Sequence, residues 1–546
     1  MINNTQKLKL PKGIQTFEKL RNEGCVYVDK TKYFVDLIDK GSIYFLSRPR
    51  RFGKSLTIST FEALFSGKKD LFKGLYAEAF FNRSDFQPSP VIRLDMSLVN
   101  TSEGIDGIKE SILYLTNETA RKLKVELSDT KLYGVLLNEL ITRTSEKYNR
   151  KVVVLIDEYD KPYTDFVSDA EMANKVRNVL RDFYVQIKAS DEFVRFIFLT
   201  GISKFTRFSV FSTLNNLDDI SMMPEYAGIC GYTEEEIIRY FPDYMKETAC
   251  EMDISIEELL EQMRQYYDGF SFDYKVSTRL YNPFSILMFF DKKKFSNFWF
   301  QTGGSKLIAE YMKEKHLTVE QFRNFPTTFN FIETPGDMDT TEPHGFLFQS
   351  GYLTLRKGTD NVLSLDYPNT EVLNSMSELV AQNIFQTKGG NYFSYSQRIF
   401  TAIQTDNYKL FTDTLNVFLA SIPYDDFSKA AEQVVIVQGY KFPAQEWLYR
   451  SNILSFLTGC GIVVAAEMHT NKGRPDLVIS WKGKIWVIEI KVAYKGQSAE
   501  NKAKEALRQI TENNYAKPFP DAVCLGIGIE NEARQITFFL LTDNPI

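Results

Sequence analysis

The sequence contains few of the residues that bind transition metals or form disulfides. It has five cysteines and three histidines in 546 residues, and the cysteines are scattered, with no CxxC pair. An odd number of dispersed cysteines is typical of a protein from a reducing compartment and argues against a disulfide framework. The same scarcity argues against a zinc cluster or a metal site built on histidine.

Long apolar runs and an excess of positive charge are also lacking. No segment approaches the roughly 18 consecutive apolar residues of a membrane-spanning helix, and residues 1–10 lack the apolar core of a signal peptide. We therefore expect a cytoplasmic protein without membrane contact. The net charge is −5, so any contact with nucleic acid must use a local basic patch. A chain of this length is expected to form about three or four domains.

One loop has the layout of a phosphate-binding loop. A short apolar strand, residues 43–46, leads into it, and a helix is predicted to follow. Backbone N–H groups at the start of such a helix face an anion, and a lysine reaches the outer phosphates. Arg48 stands where the usual G-x-x-x-x-G-K-[ST] pattern has its first glycine, and the loop arginines either add charge to the phosphate site or pair with acids of the fold. The candidate nucleotide-binding residues are Arg48, Pro49, Arg50, Arg51, Phe52, Gly53, Lys54 and Ser55.

A second motif, about a hundred residues further on, complements the loop. Five consecutive aliphatic residues, 152–156, predict a strand buried on both faces, and Asp157 and Glu158 follow it. At this position a nucleoside triphosphatase holds Mg²⁺ through the aspartate and Ser55, while the glutamate polarises the attacking water. The next predicted strand ends at Thr200, a candidate sensor of the γ-phosphate, with Ser203, Lys204 and Arg207 as alternatives. The competing interpretation is that the two acids are only solvated residues at a strand end.

The alternation of strands and helices predicts the domain organisation. Strands alternate with helical segments over residues 1–225, which indicates a doubly wound α/β domain with a parallel sheet. Residues 226–300 are expected to form a small helical lid, and residues 301–434 a mixed, mostly helical middle region without a chemical motif. Residues 435–546 return to alternating helix and strand and predict a second α/β unit.

This last unit contains a second candidate site. Asp476 is followed after twelve residues by Glu489-x-Lys491, and residues i and i+2 of a strand point to the same face. A hairpin would bring Asp476 beside them, so that two carboxylates hold Mg²⁺ and activate water while Lys491 stabilises charge on a phosphodiester. The competing interpretation is a surface hairpin with a simple Glu–Lys pair. Further candidates are the backbone carbonyl of Ile490 as a metal ligand, Glu446 on the preceding helix, Gln509 on the following helix, and the basic residues Lys472, Arg474, Lys495, Lys502, Lys504 and Arg508.

Both candidate sites resemble known families. Residues from about 10 to 225 resemble the AAA-ATPase-like family, a bacterial group of P-loop proteins, in the segments YVDKT (27–31), RPRRFGKSL (48–56), LIDEYD (155–160) and LTGISK (199–204). In that family the loop without its first glycine is the usual form, so the resemblance implies ATP and Mg²⁺ as cofactors. The C-terminal unit resembles the PD-(D/E)xK nuclease superfamily through Arg474-Pro-Asp476 and Glu489-Ile-Lys491, which implies a restriction-endonuclease-like α/β fold.

Together the two resemblances imply an ATP-regulated nuclease that acts on DNA. They imply ATP binding more firmly than ATP hydrolysis. An alternative from another class is a nucleotide-operated switch whose nuclease-like domain grips nucleic acid or a partner without cutting. A third is a toxin-like or structural module in which neither site turns over. The expected partners are ATP and nucleic acid, and assembly into a homo-oligomer is left open.

Overall fold

The structure, a computed structural model, describes residues 7–166, 169–202, 217–299, 319–328, 332, 343–358, 362–384, 389–421, 434–437, 440–465, 475–481, 483–519 and 521–543. The chain forms two compact units: an N-terminal unit of residues 1–299 and 326–370, and a C-terminal unit of residues 300–325 and 371–546. The predicted middle region is thus divided between the two units, and the predicted boundaries at residues 225, 300 and 434 stay a prediction.

A five-stranded parallel sheet is the centre of the N-terminal unit. Its order is β2-β3-β4-β1-β5. Because all five strands run in the same direction, the carboxyl ends of β1, β3 and β4 lie side by side at one edge, where open α/β sheets bind ligands. Every residue of β1 and β3 is buried, as the aliphatic runs predicted. The strands are β1 Ile43–Ser47, β2 Val91–Asp95, β3 Val152–Asp157, β4 Val194–Gly201 and β5 Asp218–Asp219.

Two helices precede β1, and the others connect β1, β2, β3 and β4, as the α/β alternation predicted. They are α1 Phe17–Asn22, α2 Thr31–Lys40, α3 Lys54–Phe65, α4 Gly104–Lys122, α5 Tyr133–Tyr148, α6 Lys161–Thr164, α7 Ala170–Tyr184 and α8 Gln186–Ala189. Short 3₁₀ turns are Lys69–Phe72, Tyr76–Asn82, Met96–Leu98, Asp191–Phe193 and Pro224–Ile229. Helix α3 starts directly after the phosphate-binding sequence, with Gly53 as its N-cap in the left-handed conformation (φ 97°) that glycine adopts without strain. The predicted strand–loop–helix order is therefore confirmed.

A helical layer with its own core completes the N-terminal unit. Its elements are α9 Glu234–Tyr240, α10 Pro242–Met252, α11 Ile256–Tyr267, α12 Pro283–Lys292 and α13 Pro343–Ser350, with strands β6 Phe325–Thr327, β7 Thr354–Lys357 and β8 Leu363–Asp366. Aromatic and aliphatic side chains, among them Phe241, Tyr267 and Phe289, form a contiguous core between α9, α10, α11 and α12. Thr233 and Glu236 form a reciprocal capping box at the start of α9.

The C-terminal unit contains a mixed sheet of order β11-β12-β13-β14-β15. Strands β13 and β14 are parallel, with a helix between them in the chain, and the other neighbours are antiparallel. The helices are α14 Thr370–Ile384, α15 Gly389–Gln404, α16 Tyr408–Ser421, α17 Ala444–Gly459 and α18 Ala499–Glu512, and one 3₁₀ turn spans Val319–Phe322. The strands are β9 Val434–Val437, β10 Tyr440–Pro443, β11 Val463–Ala465, β12 Leu477–Trp481, β13 Lys484–Ala493, β14 Val523–Glu530 and β15 Gln535–Asp543. The predicted α/β class is confirmed for both units. Within the described ranges, no helix has the length and apolarity needed to cross a membrane.

Candidate nucleotide and nuclease sites

The Lys54 ammonium is tied back onto the phosphate loop, residues 48–55. The Lys54 side chain is 5% exposed, and its Nζ donates to the carbonyl oxygens of Arg48 (3.0 Å) and Pro49 (3.1 Å). Burial lowers the pKa of Lys54, while the carboxylates of Glu158 and Asp157 act in the opposite direction. Two carbonyl oxygens of the loop therefore accept hydrogen bonds from the ammonium, and a phosphate oxygen could replace them as acceptor.

Arg48 anchors the loop to the surrounding fold through its buried side chain. The side chain is 1% exposed, its guanidinium lies over the Phe272 ring (4.6 Å), and burial lowers its pKa to about 10. The guanidinium donates to four backbone carbonyl oxygens, those of Ser47 (2.9 Å), Ser221 (2.7 Å), Tyr226 (3.3 Å) and Ala227 (3.5 Å). This arrangement is neither of the two alternatives that the sequence suggested. As a nucleotide contact, Arg48 can act only through its main chain.

The other loop residues also pack on the helical layer. Phe52 is buried edge-on against Phe270 and Phe272 (centroids 4.9 and 5.1 Å apart). The Arg50 carbonyl accepts from Trp299 Nε1 (3.2 Å), and the exposed Arg51 guanidinium lies 4.7 Å from the Phe284 ring. Pro49 is so close to Gly351 that a Cβ added there would lie 2.6 Å from the proline. Packing contacts thus fix the conformation of this loop, whereas a glycine at its first position would leave the backbone flexible.

Asp157 and Thr200 meet at the carboxyl edge of the sheet. The buried Asp157 Oδ1 accepts from the Thr200 hydroxyl (2.7 Å) and from the Glu158 amide (3.1 Å). Glu158 itself has a left-handed backbone (φ 48°), which is strained for a residue with a side chain. Burial raises the pKa of Glu158, and the Lys54 charge lowers it. The structure therefore brings Lys54, Asp157, Glu158 and Thr200 together, as the two motifs predicted.

Asp160 and Gly201 support this edge and were missed by the sequence reasoning. The buried Asp160 carboxylate accepts from the Ile202 amide (3.3 and 3.1 Å), which joins the segment after β3 to the end of β4. A Cβ at Gly201 would lie 2.5 Å from the Tyr159 ring and 2.6 Å from Asp160. The carbonyl of Gly201 also accepts from the Arg48 amide (3.1 Å). Ser203, Lys204 and Arg207 lie outside the described residues.

Asp476 and Glu489 adjoin each other where β12 and β13 pair. Asp476 precedes β12, and its amide donates to Glu489 Oε2 (3.1 Å), while Asp476 Oδ2 accepts from the Ile490 amide (2.7 Å). Both side chains are buried, with exposures of 9% and 1%. Burial raises the pKa of Glu489 well above its usual value, and the neighbouring Asp476 charge adds to this. The predicted convergence of the two carboxylates is therefore present in the fold.

Lys491 lies between two of these acids. Its Nζ is 3.1 Å from Glu446 Oε1 and 3.6 Å from Glu489 Oε1. Burial alone would lower the pKa of Lys491, but the charges of Glu446, Asp476 and Glu489 outweigh it and raise the pKa above its usual value. Burial also raises the pKa of Glu446, and Lys491 lowers it. Helix α17 thus brings Glu446 to the strand residues, as predicted.

One member of the site was missed, and one predicted member bonds elsewhere. Arg450, one turn after Glu446 on α17, is 3% exposed and places a guanidinium nitrogen 3.8 Å from Asp476 Oδ1. The i, i+4 spacing from Glu446 was the signal that could have identified it. Gln509 instead donates to the Tyr515 hydroxyl (3.5 Å), and its role in orienting the site stays a prediction. We call Glu446, Arg450, Asp476, Glu489 and Lys491 the nuclease cluster.

The basic residues predicted around this cluster are in part already paired. Lys502 and Lys504 bind Glu505 and Glu500 of their own helix (2.8 and 2.7 Å). Lys495 and Arg508 are exposed on the surface. Lys472 and Arg474 lie outside the described residues.

The donor sets of both sites fit a hard divalent cation. Where the structure describes side chains, no three or more His, Cys, Asp or Glu residues are grouped to hold a metal. The nuclease cluster offers the carboxylates of Asp476 and Glu489, and the nucleotide site offers Ser55 and Asp157. Mg²⁺ commonly binds through one or two carboxylates and completes its shell with water and substrate phosphates. Asp476, Glu489 and the Ile490 carbonyl would hold it in the C-terminal unit, and Ser55 and Asp157 in the N-terminal unit.

Comparison with known proteins agrees with this division of the chain. Residues 11–211 match the family described as "Predicted AAA-ATPase", and residues 444–538 match the PD-(D/E)XK nuclease superfamily. A protein of Azotobacter chroococcum mcd 1, named "Uncharacterized protein in vnfD 5'region", is 31% identical over 552 residues, which covers 98% of each chain. Domains of these two families generally use a nucleotide and a divalent metal and support an ATPase- and nuclease-type function. The chain belongs to the AAA-ATPase-like family, in the form that also carries a C-terminal PD-(D/E)XK nuclease superfamily domain.

Proposed function

We propose that this protein is an ATP-regulated, metal-dependent nuclease that cuts DNA. The observation that carries the proposal is the nuclease cluster, in which two buried carboxylates adjoin a lysine ammonium 3.6 Å from one of them. These are the groups that phosphodiester hydrolysis requires, because a metal must be held and negative charge must be stabilised.

In the C-terminal unit the chain's own residues divide the work. Asp476 and Glu489 would hold the cation, with the Ile490 carbonyl as a further oxygen ligand. A bound divalent cation supplies a water of lowered pKa and neutralises charge on the scissile phosphate. Lys491, held by Glu446, stabilises the negative charge that develops on the phosphate during cleavage.

In the N-terminal unit, Lys54 exchanges its two carbonyl partners for the β- and γ-phosphates of ATP. Ser55 and Asp157 hold Mg²⁺, and Thr200 orients Asp157 through its hydroxyl. Glu158 polarises the attacking water. Lys54 bonds the carbonyls of the loop, and Arg48 and Phe52 fix the same loop to the helical layer. Movement of Lys54 toward ATP therefore disturbs the contacts between the loop and this layer. We attribute the ATP response to this disturbance.

The test is cleavage of a plasmid and of matched DNA and RNA oligonucleotides with Mg²⁺ or Mn²⁺, with and without ATP. We expect Glu489→Ala to cut DNA at least about 100-fold more slowly than wild type, because a metal ligand is lost. Glu505→Ala on the surface of α18 is the matched control and should cut normally. Lys54→Ala should keep metal-dependent cutting and lose the response to ATP.

Each outcome separates the competing functions. Equal cleavage by wild type and Glu489→Ala contradicts the nuclease assignment. Calorimetric ATP binding by a wild type that cuts no nucleic acid supports the nucleotide-operated switch instead. Cleavage of RNA but not of the matched DNA contradicts the proposed substrate. A Lys54→Ala protein that still responds to ATP contradicts the proposed regulation.

A further inference from the structure

We propose that Arg450 is a positioning residue that sets the charge of the nuclease cluster through Asp476: it weakens divalent-cation binding there and leaves the metal-loaded site cationic for a phosphodiester. The inference rests on the proposed nuclease function. It concerns a residue outside the motif residues Asp476, Glu489 and Lys491.

Arg450 reaches the cluster from the same face of α17 as Glu446. One turn separates them, so both project to the same side of the helix. Glu446 lies 3.1 Å from Lys491, and Arg450 lies 3.8 Å from Asp476. Helix α17 therefore places a carboxylate, Glu446, beside Lys491 and a guanidinium, Arg450, near Asp476. At 3% exposure Arg450 has almost no surface to offer a substrate, and its contact with the cluster is the one to Asp476.

The charge of Arg450 is permanent, which makes its effect on a cation predictable. A guanidinium is not deprotonated in proteins, and a charge in a poorly hydrated site interacts strongly with its neighbours. With all five residues of the cluster ionised, its three acidic and two basic groups give a formal charge of −1. One divalent cation makes the cluster positive, and the phosphodiester anion then neutralises it. Without Arg450 the metal-loaded cluster would be neutral, and the entering phosphodiester would leave it with a net charge of −1 instead of zero.

A second contact of Asp476 fixes the direction of the effect. Its other oxygen, Oδ2, accepts from the Ile490 amide at 2.7 Å, and this bond does not depend on Arg450. Removal of the guanidinium therefore leaves the carboxylate oriented by the main chain. The loss of cation–cation repulsion then dominates, and metal affinity should rise while affinity for the anionic substrate falls.

The experiment measures Mn²⁺ binding to the full chain by electron paramagnetic resonance, without nucleotide, and the KM for DNA cleavage. We expect Arg450→Met to bind Mn²⁺ about tenfold more tightly and to raise KM about tenfold. Arg450→Lys, which keeps the charge, should stay within about threefold of wild type in Mn²⁺ affinity. Ser451→Ala, at the next buried position of α17, controls for general disturbance of the helix.

A purely structural role would weaken both metal binding and cleavage, so weaker Mn²⁺ binding by Arg450→Met overturns the proposal. If Arg450→Met does not fold, Arg450→Lys decides, because tenfold tighter Mn²⁺ binding by a variant that keeps the charge also overturns it. Glu489→Ala separates the two proposals. If Glu489→Ala binds Mn²⁺ like wild type, the metal lies elsewhere and the nuclease function fails. If Glu489→Ala loses Mn²⁺ binding while Arg450→Met keeps the wild-type affinity, only the role of Arg450 is refuted.

Discussion

Replacing Arg48 with methionine is expected to destabilise the N-terminal unit rather than to remove a phosphate contact. Hydrogen bonds with one charged partner contribute about 1.5–3 kcal/mol each. The two short bonds, to Ser221 (2.7 Å) and Ser47 (2.9 Å), together contribute about 3–6 kcal/mol. Methionine offsets part of this loss, because it removes a buried charge. We expect a net loss of about 2–4 kcal/mol in unfolding free energy and a melting temperature lower by on the order of 4–8 °C.

The assay is thermal unfolding followed by circular dichroism, together with calorimetric ATP binding at a temperature where both proteins are folded. Arg51→Met is the matched control, because among the described residues this exposed arginine of the same loop has a ring contact with Phe284, worth about 0.5–1 kcal/mol. The reasoning would be refuted if Arg48→Met melted like wild type while its ATP affinity fell more than tenfold. That result would mean that the guanidinium binds phosphate.

Three further predictions test other contacts of the N-terminal unit. Gly201→Ala should lower the unfolding free energy by about 1–3 kcal/mol in urea titration, because the added Cβ would lie 2.5 Å from the Tyr159 ring. An unchanged urea midpoint would contradict this close packing. Gly351→Ala would place a side chain on a left-handed backbone (φ 90°) and against the loop proline, so both the melting temperature and the ATP affinity should fall. A loss of stability with unchanged ATP affinity would show that this contact does not affect the loop. The Arg264 hydrogen bond lowers the pKa of Glu234 below its usual 4.5, so the stabilisation is present above that pH and is lost as pH falls through the folded-state pKa. Glu234→Gln should therefore cost up to about 1 kcal/mol at pH 7, since the pair is solvent-screened, and progressively less as pH falls through the folded-state pKa. A cost in urea titration that does not decrease as pH falls would argue against the ion pair.

The elements around both sites could be predicted because their signals are local. The strand before the phosphate loop, the buried strand that ends at Asp157 and the helix after Lys491 all follow from runs of residues adjacent in sequence. Residues 104–149 have a helical pattern, and the structure divides this range into α4 and α5. Strand β15 was not predicted, although its aliphatic and aromatic residues have strand character.

Contacts between distant residues explain what the sequence could not indicate. Three arginines beside Gly53-Lys54 look like charge for a phosphate, but three of the four carbonyl partners of Arg48 lie more than 170 positions away. No local pattern encodes such a pairing, because any residue can supply a carbonyl oxygen. Arg450 was not predicted as a site residue for the related reason that Asp476, which it contacts, lies outside its helix.

The hydrogen bond from Trp299 Nε1 to the Arg50 carbonyl gives the nucleotide site an optical reporter. The chain has four tryptophans, and Trp447, Trp481 and Trp486 belong to the C-terminal unit, so Trp299 alone reports on the N-terminal unit. Its indole is 6% exposed and packs against the Tyr352 ring (5.0 Å), so its emission depends on how the loop is held. With the other three replaced by phenylalanine, fluorescence of this indole would follow the arrival of ATP at the loop in real time.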